Sequence, residues 1–166
     1  MDCLPTFLCG RKNNFILRRT LGLRHSNRKA YGYLLERTQK KVRQYFQKAL
    51  LNNNTGITVD QWIILDRLNR NDGLSQSEIA ETTFKDAPTV TRIIDLLCKK
   101  ELVQRIPDNG DRRRLKITLT GKGKEKVEQV LPIVLEMREK GWKNLSDEDY
   151  TTMIRILDTI YANFNG

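Results

Sequence analysis

Apolar residues recur along most of the chain at steps of three and four, the spacing of one face of an α-helix. This spacing predicts a long first helix over residues 29–51. Thr58, a residue type that often caps helices, predicts a second helix that runs to about Asn69. The predicted inward positions of the second helix are Val59, Trp62, Ile63 and either Leu65 or Leu68.

Two shorter helices follow, and each has a start signal. Ser75 and Glu78 have the spacing of a capping box, which opens a short third helix. Asp86 and Pro88 open a fourth helix that ends near Lys100. Its apolar face consists of Val90, Ile93, Ile94 and Leu97, and its opposite face of Pro88, Arg92, Asp95 and Lys99. Two short helices joined by a tight turn predict a helix-turn-helix.

Two stretches after the fourth helix alternate in side-chain character, as half-buried strands do: residues 102–106 and 115–119. The segment between them contains an Asn109-Gly110 pair, which suits a tight turn, and three consecutive arginines at 112–114. This pattern predicts a β-hairpin with a basic tip directly after the helix-turn-helix, which is a wing. The arginine run is either a solvated loop or a nucleic-acid contact, and its position after a helix-turn-helix favours the contact.

Two more helices complete the pattern. Thr120 is placed to cap a fifth helix with apolar residues at Val127, Val130, Leu131, Val134, Leu135 and Trp142. Ser146 opens a sixth helix, on which apolar residues recur at steps of 3, 4, 3 and 4: Tyr150, Met153, Leu157, Ile160 and Phe164. This seam packs either within the chain or against a second copy. We favour the second copy, because the first and last helices flank the winged unit and both carry apolar stripes.

The uneven distribution of charged residues bears on which kind of partner the protein binds. The chain has 30 basic and 20 acidic residues, and the excess is concentrated at +6 in residues 1–30 and +6 in residues 99–126. Such zones are either solvated surfaces or sites for a polyanion. No apolar run approaches the roughly 20 residues of a membrane span, so we expect no membrane partner.

Composition argues against most catalytic chemistry. His25 is the only histidine, which leaves no basis for a histidine metal cluster or a catalytic triad within one chain. The glycines at 121 and 123 lack the context of a phosphate-binding loop. Three cysteines without a signal peptide favour reduced thiols and a cytoplasmic location. We therefore expect no enzyme, no metal and no cofactor.

The order of these elements resembles that of the MarR family of bacterial transcriptional regulators. Residues 58–65 are similar to the family's second helix, residues 74–80 to its third and residues 89–92 to its recognition helix. The most specific likeness is at 111–120, which resembles a wing signature that begins Asp-x-Arg and ends Leu-Thr.

The resemblance covers residues 28–164 and implies a mainly α, α+β fold: a winged helix-turn-helix with a two-stranded β-hairpin wing and flanking dimerisation helices. We therefore divide the chain into a basic N-terminal extension (1–27) and a MarR-like domain (28–166). Within that domain, residues 57–120 form the winged unit, and residues 28–52 and 121–165 form the dimerisation helices.

The same resemblance implies roles for particular residues. Asp111 would orient Arg113 for insertion into the DNA minor groove, and the outer face of the fourth helix would meet the major groove. Asp111 is otherwise a simple turn residue. The full set of candidate DNA contacts is Ser75, Gln76, Pro88, Thr89, Thr91, Arg92, Asp111, Arg112, Arg113 and Arg114.

Many family members bind DNA as homodimers and release it when a small aromatic ligand enters a cleft. Here that cleft would draw on Tyr31, Leu34, Tyr45 and Trp62, which are otherwise core residues. A peroxide-sensing branch oxidises a cysteine near the start of the first helix, but residues 28–51 contain none. Cys98, on the fourth helix, fits a small buried residue.

The sequence therefore predicts a cytoplasmic homodimer that binds a near-palindromic double-stranded DNA site and regulates transcription, with repression the favoured sign and a small aromatic effector. Two alternatives stay open. The first is a redox or small-molecule sensor that acts through Cys3, Cys9 or Cys98. The second is a winged helix that serves as a protein–protein adaptor.

Overall fold

A computed structural model describes residues 31–108 and 114–165 of the chain. The elements occur in the order α1 (Tyr31–Asn52), α2 (Val59–Arg70), β1 (Leu74–Ser75), α3 (Gln76–Thr83), α4 (Ala87–Lys99), β2 (Val103–Pro107), β3 (Leu115–Leu119), α5 (Gly121–Trp142) and α6 (Asp147–Ala162). This order confirms the predicted winged helix-turn-helix. The extension at 1–27 and the wing-tip residues Asp111, Arg112 and Arg113 lie outside the described residues.

Helices α2 to α6 each begin after a residue whose side chain caps the helix. The cap residues are Thr58, Ser75, Asp86, Thr120 and Ser146, and each side-chain oxygen accepts from the backbone N–H three residues on. These N–H groups have no partner inside the helix, and satisfying one is worth about 1 kcal/mol. All five starts were predicted from these residues, so local chemistry places the helix boundaries.

The sheet has one strand more than predicted. Its three strands lie in the antiparallel order β1-β3-β2, and Leu74 and Ser75 pair with Ile117 and Lys116. The predicted two-stranded wing is confirmed as the antiparallel hairpin of β2 and β3. The third strand, β1, was not predicted, because two residues are too short for a visible alternation. Strand β2 also begins one residue later than predicted, at Val103. The base of the wing is thereby attached to the start of α3.

The core confirms the predicted apolar face of α4, since all four of its residues are buried. For α2 the prediction needs correction. Ile64 is fully buried and Ile63 is only half-buried, while both Leu65 and Leu68 are buried. Helix α2 contacts α3, α4, α5 and β3, and a helix surrounded in this way buries more than one face. A prediction that assumes one apolar stripe therefore misassigns which residues of α2 are buried.

Much apolar surface stays uncovered in the single chain, which divides into two compact units at Val42 and Arg43. Residues 31–42 are all exposed, and only Phe46 and Leu50 of α1 are buried. Leu131 and Leu135 of α5 are exposed, although they were predicted to share its apolar face. Helix α6 buries no residue: its predicted seam is exposed at Tyr150, Met153 and Phe164 and half-buried at Leu157 and Ile160.

None of the helices in residues 31–108 and 114–165 combines the length and the apolar character that a membrane-crossing segment requires.

Candidate nucleic-acid interface

The outer face of α4 is a small polar surface at the start of that helix. Pro88, Thr89, Thr91 and Arg92 are all exposed. Asp86 caps the helix by accepting from the backbone N–H of Thr89 at 2.8 Å, and this hydrogen bond lowers the pKa of the Asp86 carboxyl. Pro88 lies in the first turn, where a missing N–H costs nothing. The cap and the proline therefore fix where this face begins.

The start of α3 is linked to α4 on the same exposed side. The Thr91 hydroxyl lies 3.3 Å from Oε1 of Gln76 and 3.0 Å from the Ala87 carbonyl oxygen. Ser75 and Glu78 form the predicted capping box, in which the Ser75 N–H donates to the Glu78 carboxylate at 2.7 Å. The first turn of α3 thus lies next to the candidate residues of α4.

The base of the wing lies beside the start of α3. Arg114 is exposed, and Lys116 forms an ion pair with Asp108 at 3.2 Å. Hydrogen bonds from Ser75 hold the pKa of Glu78 below its ordinary value, and the positive charges of Arg114 and Lys116 act in the same direction. One cleft is lined by Ser75, Glu78, Asp108, Arg114 and Lys116. The structure therefore groups Ser75, the α3 start and Arg114 at the foot of the wing.

An ion pair between α4 and the wing was not predicted. The Arg105 guanidinium of β2 lies 2.6 Å from the Asp95 carboxylate of α4. The sequence placed Asp95 on the outer face of α4, which the structure confirms, but strand alternation does not tell which helix a strand side chain meets. This pair joins the wing to α4.

The turn between α3 and α4 also holds contacts that the sequence did not indicate. Phe84 has a left-handed backbone with φ of 52°, its side chain is 80% exposed, and its ring contacts Tyr161 edge-on at 5.9 Å. Lys85 forms an ion pair with Asp60 at 2.6 Å, and Arg43 pairs with the same carboxylate. Burial opposes the charge of Asp60, but Lys85 and Arg43 outweigh it and lower the pKa of that carboxyl.

The four residues predicted to contact an effector lie in different surroundings. Trp62 is buried and packs edge-on against Phe46 at 6.4 Å. Tyr45 is half-buried, and the Lys140 ammonium lies 4.6 Å from the centre of its ring. Tyr31 and Leu34 are exposed within the unit that ends at Val42. Their role as ligand contacts stays a prediction.

Other chemistry-bearing residues lie outside this interface. Cys98 is a free thiol, half-buried and packed against the core. Cys3, Cys9 and His25 lie outside the described residues. In the part of the chain that the structure describes, no three His, Cys, Asp or Glu side chains are grouped so that they could hold a metal ion.

Comparisons with known proteins agree with this geometry. The sequence profile of the MarR family matches residues 55–114. The structure of Staphylococcus aureus MepR, solved as a DNA complex, superposes with a TM-score of 0.72 at 30% sequence identity, over 80% of this chain and 97% of MepR. The chain belongs to the MarR family. The profile match runs from the loop before α2 into the wing, so it contains both helices of the helix-turn-helix.

Two further proteins resemble this MarR-family chain over most of its length. It is 27% identical over 126 residues to the transcriptional repressor NicR of Pseudomonas putida, which covers 76% of this chain and 78% of NicR. A MarR transcriptional regulator from Methanosarcina mazei superposes with a TM-score of 0.71 at 26% identity, over 81% of this chain and 96% of that protein. The likeness thus extends well beyond the profile match.

Proposed function

We propose that this MarR-family protein is a homodimeric, cytoplasmic transcriptional repressor that binds a near-palindromic site in double-stranded DNA. The observation that carries the proposal is the exposed polar face of α4, which lies next to the start of α3 and is joined to the wing by Asp95 and Arg105. The relation to MepR, whose structure contains DNA, supports DNA as the partner. The relation to NicR supports repression.

In this proposal α4 reads the major groove. Arg92 is exposed, and a guanidinium can donate two hydrogen bonds to the O6 and N7 atoms of guanine. Thr89 and Thr91 present hydroxyls to bases or phosphates, and Pro88 allows close approach without an N–H to satisfy. Ser75 and Gln76, at the start of the neighbouring helix α3, would contact the flanking phosphates.

The wing supplies the second half of the proposed contact. Arg113 would enter the minor groove, where a narrow A·T-rich stretch has an enhanced negative potential, and Asp111 would hold its rotamer. Arg112 and Arg114 would neutralise phosphates. If they do, the logarithm of the binding constant falls with the logarithm of the salt concentration, with a slope of about −0.9 for each phosphate contacted.

The proposed dimer covers the apolar surface that one chain leaves exposed. Helix α6 buries none of its residues: Tyr150 and Met153 of its apolar seam are exposed, Leu157 and Ile160 are half-buried, and Phe164, just after the helix, is exposed. Such a surface is unusual for a monomer and is typical of an interface. A second copy would pair its own seam and first helix with this one, in a two-fold arrangement that matches a palindromic DNA site.

The proposed effector is a small aromatic molecule bound near Tyr31, Leu34, Tyr45 and Trp62. We expect effector binding to change the environment of Tyr45 most clearly, because its ring is half-buried and already contacts a cation, Lys140. Binding there would favour a dimer whose recognition helices no longer match the spacing of the two half-sites. This part of the proposal is tested by adding candidate aromatic acids to the DNA-bound protein.

Selection of bound sequences from random duplex DNA tests the proposed function. We expect a near-palindromic motif to be enriched by the wild type, and the Arg92→Ala variant to lose the enrichment at the bases that Arg92 contacts. No enriched sequence at low or moderate salt would contradict DNA recognition and would favour the adaptor alternative.

A further inference from the structure

We propose that Asp60 is a positioning residue for the recognition helix: it holds the turn before α4 through Lys85 and ties that turn to α1 through Arg43. This inference rests on the proposed function, because it concerns how α4 is presented to DNA. It names a residue outside the candidate DNA contacts.

The ion triad formed by Arg43, Asp60 and Lys85 joins three parts of the chain through one carboxylate. Asp60 lies in the first turn of α2, and its Oδ1 atom accepts from the Lys85 ammonium at 2.6 Å. Its Oδ2 atom accepts from the Arg43 guanidinium, on the C-terminal half of α1. The Asp60 side chain is 31% exposed and that of Lys85 only 18%, so water screens their contact less than it screens most surface pairs.

The position of Lys85 gives this contact its consequence for α4. Lys85 immediately precedes Asp86, whose side chain caps α4, and its backbone N–H donates to the Ala80 carbonyl at 3.1 Å, which closes the end of α3. The preceding residue, Phe84, already has a left-handed backbone. The turn is therefore short and conformationally restricted, so a shift of Lys85 moves the cap and the first turn of α4 with it.

Replacing Asp60 tests the proposal, because losing its negative charge and losing its positioning role change DNA affinity in opposite directions. Removing a carboxylate from a DNA-binding protein makes its net charge more positive, which by itself strengthens attraction to DNA. If Asp60 positions α4, its removal weakens specific binding instead. Asp66 offers a matched control, because it lies on the same helix and pairs with Arg70 at 3.1 Å within one turn, without joining separate elements.

The experiment compares full-length wild type, Asp60→Asn, Asp60→Glu and Asp66→Asn on the selected operator and on a scrambled duplex, at one salt concentration and below the melting temperature of every variant. We expect Asp60→Asn to lower the ratio of operator to scrambled affinity about tenfold. The ratio should stay at the wild-type value in Asp66→Asn and recover in part in Asp60→Glu. An Asp60→Asn variant with an unchanged or higher ratio would overturn the proposal.

A second variant decides the matter if Asp60→Asn does not fold. Lys85→Met keeps an unbranched side chain that can still pack but removes the ammonium, and the operator-to-scrambled ratio corrects for its lost charge. The same tenfold fall supports the proposal, and an unchanged ratio overturns it. A wild type that prefers no sequence would instead contradict the proposed function, and this inference with it.

Discussion

Replacing Gly123 with alanine should destabilise the protein, because this glycine lies directly against the backbone at the base of the wing. A Cβ atom at position 123 would lie 2.0 Å from the Leu102 carbonyl oxygen and 3.2 Å from a methyl carbon of Leu119. Carbon and oxygen atoms normally approach to about 3.3 Å, so one backbone must move by more than about 1 Å. The Leu102 carbonyl cannot move alone, since it accepts from the Thr120 N–H.

The magnitude follows from two opposing effects. Overpacking of this kind costs about 1–3 kcal/mol or more, while alanine in a helix gains up to about 1 kcal/mol over glycine. We expect Gly123→Ala to lose about 2 kcal/mol of unfolding free energy, which lowers the melting temperature by about 4–8 °C. Gly121→Ala is the matched control, because no atom lies within 4 Å of its added Cβ, and we expect it to be neutral or slightly stabilising.

Thermal unfolding of both variants at equal protein concentration measures this difference. Equal concentration is needed because the midpoint of the proposed dimer would depend on it. We also expect Gly123→Ala to weaken operator binding, since the displaced backbone belongs to the segment that leads into the wing. A Gly123→Ala variant that melts at or above Gly121→Ala would refute the close approach of α5 to Leu102.

Four other perturbations follow from the same structure. Arg113→Ala should weaken operator binding by about 1–3 kcal/mol with little change in melting temperature, as titration of labelled operator would show. Leu157→Asp should split or unfold the dimer in sedimentation experiments, because it puts an unpaired carboxylate in the proposed interface, whereas Thr152→Asp outside the seam should not. Phe84→Gly should be more stable than Phe84→Ala by up to about 1 kcal/mol in urea unfolding, because only glycine adopts the left-handed backbone without cost. The pKa of Asp60 is lower in the folded chain, so its charge stabilises the fold at neutral pH. The stability gap between wild type and Asp60→Asn should begin to shrink as the pH falls below the ordinary aspartate pKa of about 4, and should close once the pH passes the lowered pKa of the folded carboxyl.

Sequence patterns predicted the helix starts well because each one depends on a single local interaction. A Ser, Thr or Asp that accepts from the N–H three residues on is visible in the sequence, as at Thr58, Ser75 and Asp86. The apolar face of α4 was equally visible, since only one of its sides is buried. Local chemistry and a single buried stripe thus account for most of the fold.

The strand, the burial pattern of helix α2 and the ion pairs that the sequence missed share one physical cause, which is contact between residues distant in sequence. Strand β1 exists because Leu74 and Ser75 meet β3, some forty residues later in the chain. Ile64 is buried because α2 is surrounded by four other elements. The ion pair of Asp95 with Arg105 and the ion triad at Asp60 depend on the tertiary arrangement in the same way. Periodicity within a segment carries no information on these partners.

We propose that two copies of this chain bind one near-palindromic DNA site. Sedimentation equilibrium of the full-length protein with the selected duplex tests it most directly, because the mass of the complex gives the number of chains per duplex. We expect two chains on a duplex whose half-sites lie about 34–36 Å apart, one helical turn, and loss of the complex when either half-site is scrambled. A stable monomer at micromolar concentration that binds a single asymmetric half-site would contradict it.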